Sequence, residues 1–501
     1  MIDIFKKITK NTLIYSFGQV APKLVGLILL PFFTDPRYLS AADYGKLSML
    51  EAASMFLISM FGLGLNYALE RWYWDEEYID KRKSIIFTLI SATIAITGIV
   101  WVFLSFFNRE LALLLTGRED WISLINLLFI CSAIESLILI PTTLLRLQER
   151  PVFYVSANII RFVLYLALTF VFLISMKRGL EGLYEARLLS LAGVMIVLAI
   201  PVFKNISFRF EFRALKEMII FRIPLVLSTV SYIIFNITDR FSIRFLSTSS
   251  FKDVGIYSLG YTLTNSVKVV VISAIWLSVR PMIYRMMNEE GNRRFYSKLM
   301  KYMIFGVTFL LLAISVFGQE VILIFTRNAV FGTSYLLIPI ISIAIIFDTL
   351  KEISQAIGLI IAKKTGVIAI TMVISTILNI ILNVLLVPIL NIFGAAVSTA
   401  ISQFFFFVVI YRFSQKEYPI PYEIRRITVM IVVFAFLAGI SVLTSNLDHF
   451  LRIPVKLILL GSFPVILLYL NYYEDIETTR LKELWQKLRK PSEWMNIISK
   501  K

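Results

Sequence analysis

With 501 residues, 58% of them hydrophobic and 17% charged, and a mean hydropathy of +0.80, the chain is far more apolar than a soluble protein of its length needs to be. One cysteine, Cys131, and one histidine, His449, exclude an intrachain disulfide, a cysteine metal cluster, most zinc sites and most histidine-based catalysis, so no metal and no cofactor is expected. The net charge of +17 fits the basic cytoplasmic loops of a membrane protein better than a nucleic-acid partner.

Apolar runs of about 20 residues follow one another almost without a break, and each can cross a bilayer as a helix. They predict an all-α polytopic membrane protein with about 14 transmembrane helices, near 11–34, 43–69, 85–107, 121–145, 152–176, 182–203, 218–246, 253–284, 299–325, 333–362, 366–390, 391–413, 425–445 and 451–473. The first ten residues are basic and amphipathic, and the run after them lacks a small-residue cleavage site, which reads as a retained span rather than a signal peptide. Lys and Arg collect on alternate loops, among them Lys6, Lys7, Lys81, Arg146, Arg213, Arg293, Lys363 and Arg425. That side holds about three times the basic residues of the other, which places both termini in the cytoplasm.

Two segments about 210 residues apart read as copies: Asp43-Tyr44-Gly45-Lys46-Leu47-Ser48 and Asp253-Val254-Gly255-Ile256-Tyr257-Ser258. A second pair, Gly182-Leu-Tyr-Glu-Ala186 and Gly394-Ala-Ala-Val-Ser398, repeats at nearly the same offset. The repeat divides the chain into a six-helix lobe over 1–203, a cytoplasmic linker over 204–217 and a six-helix lobe over 218–413. Two extra helices follow over 425–473, then a basic tail over 474–501. An even number of spans per lobe predicts a pseudo-two-fold axis along the membrane normal. In the tail, Leu481, Leu484, Trp485 and Leu488 share one helical face opposite Arg480, Lys482, Lys487 and Lys490, as for a helix lying on membrane lipids or a solvated basic tail. Asp43 and Asp253 are expected to cap the helices they precede. Pro22, Pro224 and Pro339 are expected to act as hinges. Trp72, Tyr73 and Trp74 form an aromatic anchor at the inner interface in this reading.

Three stretches carry a resemblance. The first is Asn11-Thr-Leu-Ile-Tyr-Ser-Phe-Gly18 to Tyr44-Gly45; the second is Pro224-Leu-Val-Leu-Ser-Thr through Asn236-Ile-Thr-Asp-Arg240 to Val254-Gly-Ile-Tyr-Ser258. The third is Ile361-Ala-Lys-Lys-Thr365 through Asn379-Ile-Ile-Leu-Asn383 to Gly394-Ala-Ala-Val-Ser-Thr399. In order and spacing they resemble the polysaccharide (Wzx-type, O-antigen and capsule) flippases of the multidrug/oligosaccharidyl-lipid/polysaccharide exporter superfamily. The resemblance implies a two-lobed bundle in a bacterial or archaeal cytoplasmic membrane. It implies a carrier, not an enzyme, that moves an undecaprenyl-pyrophosphate-linked oligosaccharide between leaflets by alternating access. Its expected partners are that substrate, membrane lipids and polysaccharide assembly proteins.

Such a carrier needs cations and hydrogen-bonding groups within the bundle, where ionisable residues are costly. Lys23, Arg161, Arg240, Arg244, Lys268 and Lys351 are the candidate substrate-binding cations. Arg240 and Arg244 stand four apart on one face and suit phosphate, or else snorkel to the outer interface. Lys23 and Lys268 are too central to snorkel easily and are expected on either side of the axis between the lobes. Glu51, Glu135, Asp239, Asp348 and Glu352 are the candidates for coupling to H⁺ or Na⁺; a lone buried carboxyl would take up a proton readily. Asp348, Lys351 and Glu352, at i, i+3, i+4, also read as a salt bridge that neutralises itself. Asn379 and Asn383, with Ser375 and Thr376, read as helix–helix glue rather than sugar ligands. Two other functions compete: a cation-coupled multidrug antiporter on the same fold, which would have an acid-dominated cavity, and a membrane polysaccharide polymerase or ligase, which would need a large outer loop or a catalytic domain.

Overall fold

The computed structural model describes residues 26–479, apart from 273–275, 277, 278, 280, 281, 284, 285, 288 and 476. Lys23, Pro22 and the amphipathic part of the tail lie outside the described residues. Those described fold as helices joined by short turns, with no strand among them. Among the described residues ten helices are long and apolar enough to cross a membrane, and twelve if each of two bent pairs is one span. The two further expected spans, 11–34 and 253–284, fall partly outside the described residues.

In chain order the helices are α1 (residues 26–33), α2 (Ala41–Gly62), α3 (Leu65–Trp72), α4 (Arg82–Ser105), α5 (Asn108–Thr116), α6 (Ile122–Leu147), α7 (Pro151–Thr169), α8 (Gly179–Lys204) and α9 (Phe212–Leu246). Then come α10 (Phe251–Val267), α11 (Asn292–Val316), α12 (Gly318–Phe325), α13 (Ile338–Ser354), α14 (Thr365–Leu390), α15 (Ile392–Glu417), α16 (Ile424–Leu443) and α17 (His449–Tyr469). Helices α2, α6, α7 and α8 pack on one another, as do α9, α13, α14 and α15; α16 packs on α11 and α17. Helix α10 packs on α9 and α13, and the two groups meet where α2 crosses α10 and packs on α9.

That crossing joins the repeated segments. A Cβ on Gly45 would lie 1.9 Å from the carbonyl oxygen of Phe251, and one on Gly255 would lie 2.4 Å from that of Ala41. Ala41 and Phe251 stand at the same offset as Gly45 and Gly255. The contact is therefore made twice in opposite senses, as across a two-fold axis. Only a residue without Cβ lets the backbones approach so closely.

The aspartates of the repeat do not cap their helices directly. Ser40 is the N-cap of α2, and Asp43 is its third residue. Ser40 Oγ accepts from the Asp43 N–H at 3.1 Å, and the Asp43 carboxylate accepts from the Ser40 N–H at 3.2 Å. This is a capping box, in which the acid satisfies the backbone one turn back. Asp253 accepts from the Ser249 N–H at 3.1 Å, but the N-cap of α10, Ser250, makes no capping hydrogen bond, so no full box forms there. Ser40→Ala should cost about 1 kcal/mol, read as a lower thermal midpoint of the purified protein.

The run 43–69 is broken rather than continuous. Leu63 and Gly64 both take left-handed backbone angles, and α3 leaves α2 at 46°. Helix α9 bends by 46° between Ile223 and Val226, where Pro224 was expected to form a hinge. Pro339 forms none: it sits in the first turn of α13, where its missing N–H costs nothing. The aromatic anchor is also reduced. Trp72 and Tyr73 are buried, Trp72 against Phe221, and Trp74 alone of the three is exposed.

Candidate functional site: a charged cavity in the helix bundle

Residues from α1, α2, α6–α10, α13 and α15 enclose a cavity of about 1190 Å³. Five carboxylates line it, Glu51, Glu135, Asp239, Asp348 and Glu352, with four cations, Arg161, Arg187, Arg240 and Lys268. Among the described residues the lining therefore does not lean basic, although six candidate cations stood against five carboxylates in the sequence. Of the six candidate cations, Arg244 and Lys351 lie outside the lining and Lys23 lies outside the described residues, while all five candidate carboxylates are in it.

The first cluster is centred on Arg187 of α8. Its Nη1 donates to Glu51 of α2 at 2.8 Å, and its Nη2 to Glu135 of α6 at 2.7 Å. Arg161 of α7 holds the other Glu135 oxygen at 2.5 Å. Glu51 and Glu135 are thus not lone carboxyls awaiting a proton, and Arg161 is not a free cation. Arg187 was missed in the sequence, although it stands inside an apolar run. Its two carboxylate partners are 136 and 52 residues away.

The second cluster is built on α13. Lys268, just after α10, contacts Asp348 and donates to Glu352 at 2.9 Å. Lys351 contacts Asp348 one turn along the same helix. The self-neutralising reading of Asp348, Lys351 and Glu352 is therefore incomplete, because Lys268 closes the network from another helix. Lys268 is thus held by two carboxylates rather than left open. Lys351 lies behind the cavity wall, over the ring of Phe406 at 4.6 Å. The indole N–H of Trp276 donates to the second oxygen of Glu352 at 3.2 Å.

Asp239 and Arg240 on α9 form the third group. Asp239 is 3% exposed and makes no ion pair among the described residues. Its carboxylate accepts from Thr399 at 2.7 Å, from Asn383 at 3.1 Å and from the Tyr257 hydroxyl. The amide stripe of α14 does act between helices: besides Asn383, Asn379 donates to Thr399 at 3.4 Å and Thr376 to the Ser231 carbonyl at 3.1 Å. The side-chain carbonyl oxygens of Asn379 and Asn383 are buried without a hydrogen-bond partner. Arg240 donates to the Asn236 carbonyl at 2.9 Å and lies 5.0 Å from the Tyr261 ring centre. Among the described lining cations it alone has no carboxylate partner. Arg244 does not share its surroundings. It stacks on Phe251 at 4.0 Å and donates to Ser250 at 2.7 Å, outside the cavity lining.

An all-helical, multi-pass chain around such a cavity has the architecture of a membrane transporter, and its fold is that of the exporter superfamily the sequence resembles. Lipid II flippase MurJ in an inward closed conformation superposes with a TM-score of 0.68 at 17% identity, covering 91% of this chain and 98% of that one. An inward-facing multidrug resistance MATE family transporter of the MOP superfamily gives 0.62 at 15% identity, covering 83% and 95%. A variant of the Vibrio cholerae MATE transporter VcmN gives 0.59 at 14% identity, covering 82% and 96%. No curated protein matches the chain in sequence. A family model described as polysaccharide biosynthesis protein matches residues 8–287, more than half of the sequence. The chain belongs to that family.

Proposed function

We propose that the protein moves an undecaprenyl-pyrophosphate-linked oligosaccharide from the inner to the outer leaflet of a bacterial or archaeal cytoplasmic membrane by alternating access. It thereby serves polysaccharide, O-antigen or capsule synthesis. In this reading the protein is a carrier and not an enzyme, and both termini are cytoplasmic. Residues 1–203 and 218–413 are the lobes that rock, with 204–217 as their link and 425–473 as added helices. The observation that carries it is the cavity, which offers charged, amide and aromatic groups to a polar head that must cross a hydrocarbon layer. Arg240, with no carboxylate partner among the described residues, is the residue for the pyrophosphate.

Asp239 is the coupling carboxylate in this reading. It is buried and held by neutral donors, and two amides of the same network, Asn379 and Asn383, have buried oxygens without a partner among the described residues. A carboxylate among oxygens suits a hard cation or a proton. Asp239→Asn should abolish the response of transport to an imposed Na⁺ or H⁺ gradient while protein yield is kept. An unchanged response to both gradients would remove Asp239 from coupling.

The test of function is movement of a lipid-linked oligosaccharide by the purified protein in liposomes. Arg240→Gln should slow it about 10- to 100-fold, the loss of one charge-assisted hydrogen-bonding contact. A second reading, a cation-coupled multidrug antiporter, draws on the five lining carboxylates. Export of a cationic dye by the same liposomes, without movement of lipid-linked sugar, would put it first.

A further inference from the structure

The two charge clusters face the cavity unequally. In the first, the Arg187 side chain is 12% exposed and that of Glu51 is 49% exposed. In the second, Lys268 is 17% exposed and Glu352 31%. In each, the cation stands behind and a carboxylate stands in front. Arg187 holds Glu51 through one oxygen, and the other has no hydrogen-bond partner among the described residues. Glu352 takes one bond at each oxygen, from Lys268 and from Trp276, which leaves a lone pair on each.

The chemistry these groups demand is specific. An ionised carboxylate only accepts hydrogen bonds. It matches the hydroxyl, amide and ammonium groups of a glycan and opposes a glycan carboxylate. The repulsion acts between groups in contact across the cavity, well inside the distance over which salt screens charge. Among the described lining cations that would offset it, Arg187, Arg161 and Lys268 are held by carboxylates. Arg240 is the exception, and it is the residue assigned above to the pyrophosphate. The rings of Tyr165, Tyr232, Tyr261 and Trp276, which also line the cavity, offer apolar faces to sugar rings without adding charge.

We propose that the glycan carried is neutral or bears amino groups, that glycans bearing carboxylates are rejected, and that Glu51 and Glu352 set this preference. The inference rests on the flippase reading and adds the class of sugar to it. The preference arises as a cost imposed on the wrong cargo as much as from contacts made with the right one.

The experiment uses the full chain in liposomes with three probes that share one undecaprenyl-pyrophosphate anchor. Each carries a disaccharide that ends in glucose, glucosamine or glucuronic acid. Movement is read by exposure of the sugar to a reagent that cannot cross the membrane. The glucose and glucosamine probes should move at least about tenfold faster than the glucuronic acid probe. In Glu51→Gln/Glu352→Gln the gap should narrow to less than about threefold, through faster movement of the acidic probe. The comparison in the unmodified protein stands without the variant, so a variant that fails to fold does not shield the proposal. Equal movement of the acidic and neutral probes would overturn the proposal and leave the flippase reading intact. Movement of none of the three would overturn the flippase reading and this inference with it.

Discussion

Asp348→Asn is expected to destabilise the protein by about 3–5 kcal/mol, the cost of stranding a buried charge. Asp348 is the shared anion of two lysines. Without its charge Lys268 keeps Glu352, but Lys351, with a side chain 7% exposed, keeps no carboxylate among the described residues. Its ammonium group also lies over the ring of Phe406, which recovers part of that cost at most. The double variant Asp348→Asn/Lys351→Met should recover most of the loss. It removes the stranded cation, fills its volume with an apolar chain and leaves the Lys268–Glu352 pair in place, and replacing a buried pair by apolar groups is often close to neutral. Thermal unfolding of the purified protein, together with the yield of monodisperse material, reads both effects. Loss in the single variant without recovery in the double variant would show that Asp348 acts through something other than charge balance. A stable single variant that has lost its response to an ion gradient would move the coupling role from Asp239 to Asp348.

This network also marks the limit of what the sequence made legible. The pairing of Asp348 with Lys351 follows from helical spacing, but that of Asp348 with Lys268 spans 80 residues and depends on how α10 and α13 pack. Lys268 looked like an open cation because a central lysine without a local carboxylate has no visible partner. Arg187 went unnoticed for a related reason, since both its carboxylates sit on other helices. Features that depend on one helix were readable: the apolar runs, the acids at the start of α2 and α10, and the polar stripe of Asn379 and Asn383. Even there, the spacing gave the face and not its target, because Asp239 lies on α9 and the stripe on α14. Arg240 and Arg244 are the reverse case. They share a face, yet the Ser247–Ser250 turn supplies Arg244 with its own partners, and only Arg240 reaches the cavity.

The repeated glycines carry the second large effect. Gly45→Leu should shift the protein towards a state in which α2 and α10 are parted at their first turns. A Cβ there would lie 1.9 Å from a backbone oxygen, which cannot rotate away as a side chain does, so the helices must separate. Gly255→Leu should act alike, because its Cβ would meet the carbonyl oxygen of Ala41. Each is expected to cost the closed crossing about 1–3 kcal/mol, enough to change a balance between two states by roughly 5- to 150-fold. Spin labels on α2 and α10 would report the parting as a longer distance, and transport should fall in both variants, since a carrier held in one state cannot complete its cycle. Gly98→Ala is the control: nothing lies within 4 Å of its Cβ position and it sits inside α4, so helix propensity alone predicts no loss of stability. Normal transport and unchanged label distances in Gly45→Leu and Gly255→Leu would make the crossing a passive contact. Loss in only one of them would break the symmetry that the two reciprocal carbonyl contacts express. Under the orientation proposed above, the crossing closes the outer end of the cavity. Parting it then opens the route by which a glycan held between Glu51, Glu352 and Arg240 would leave.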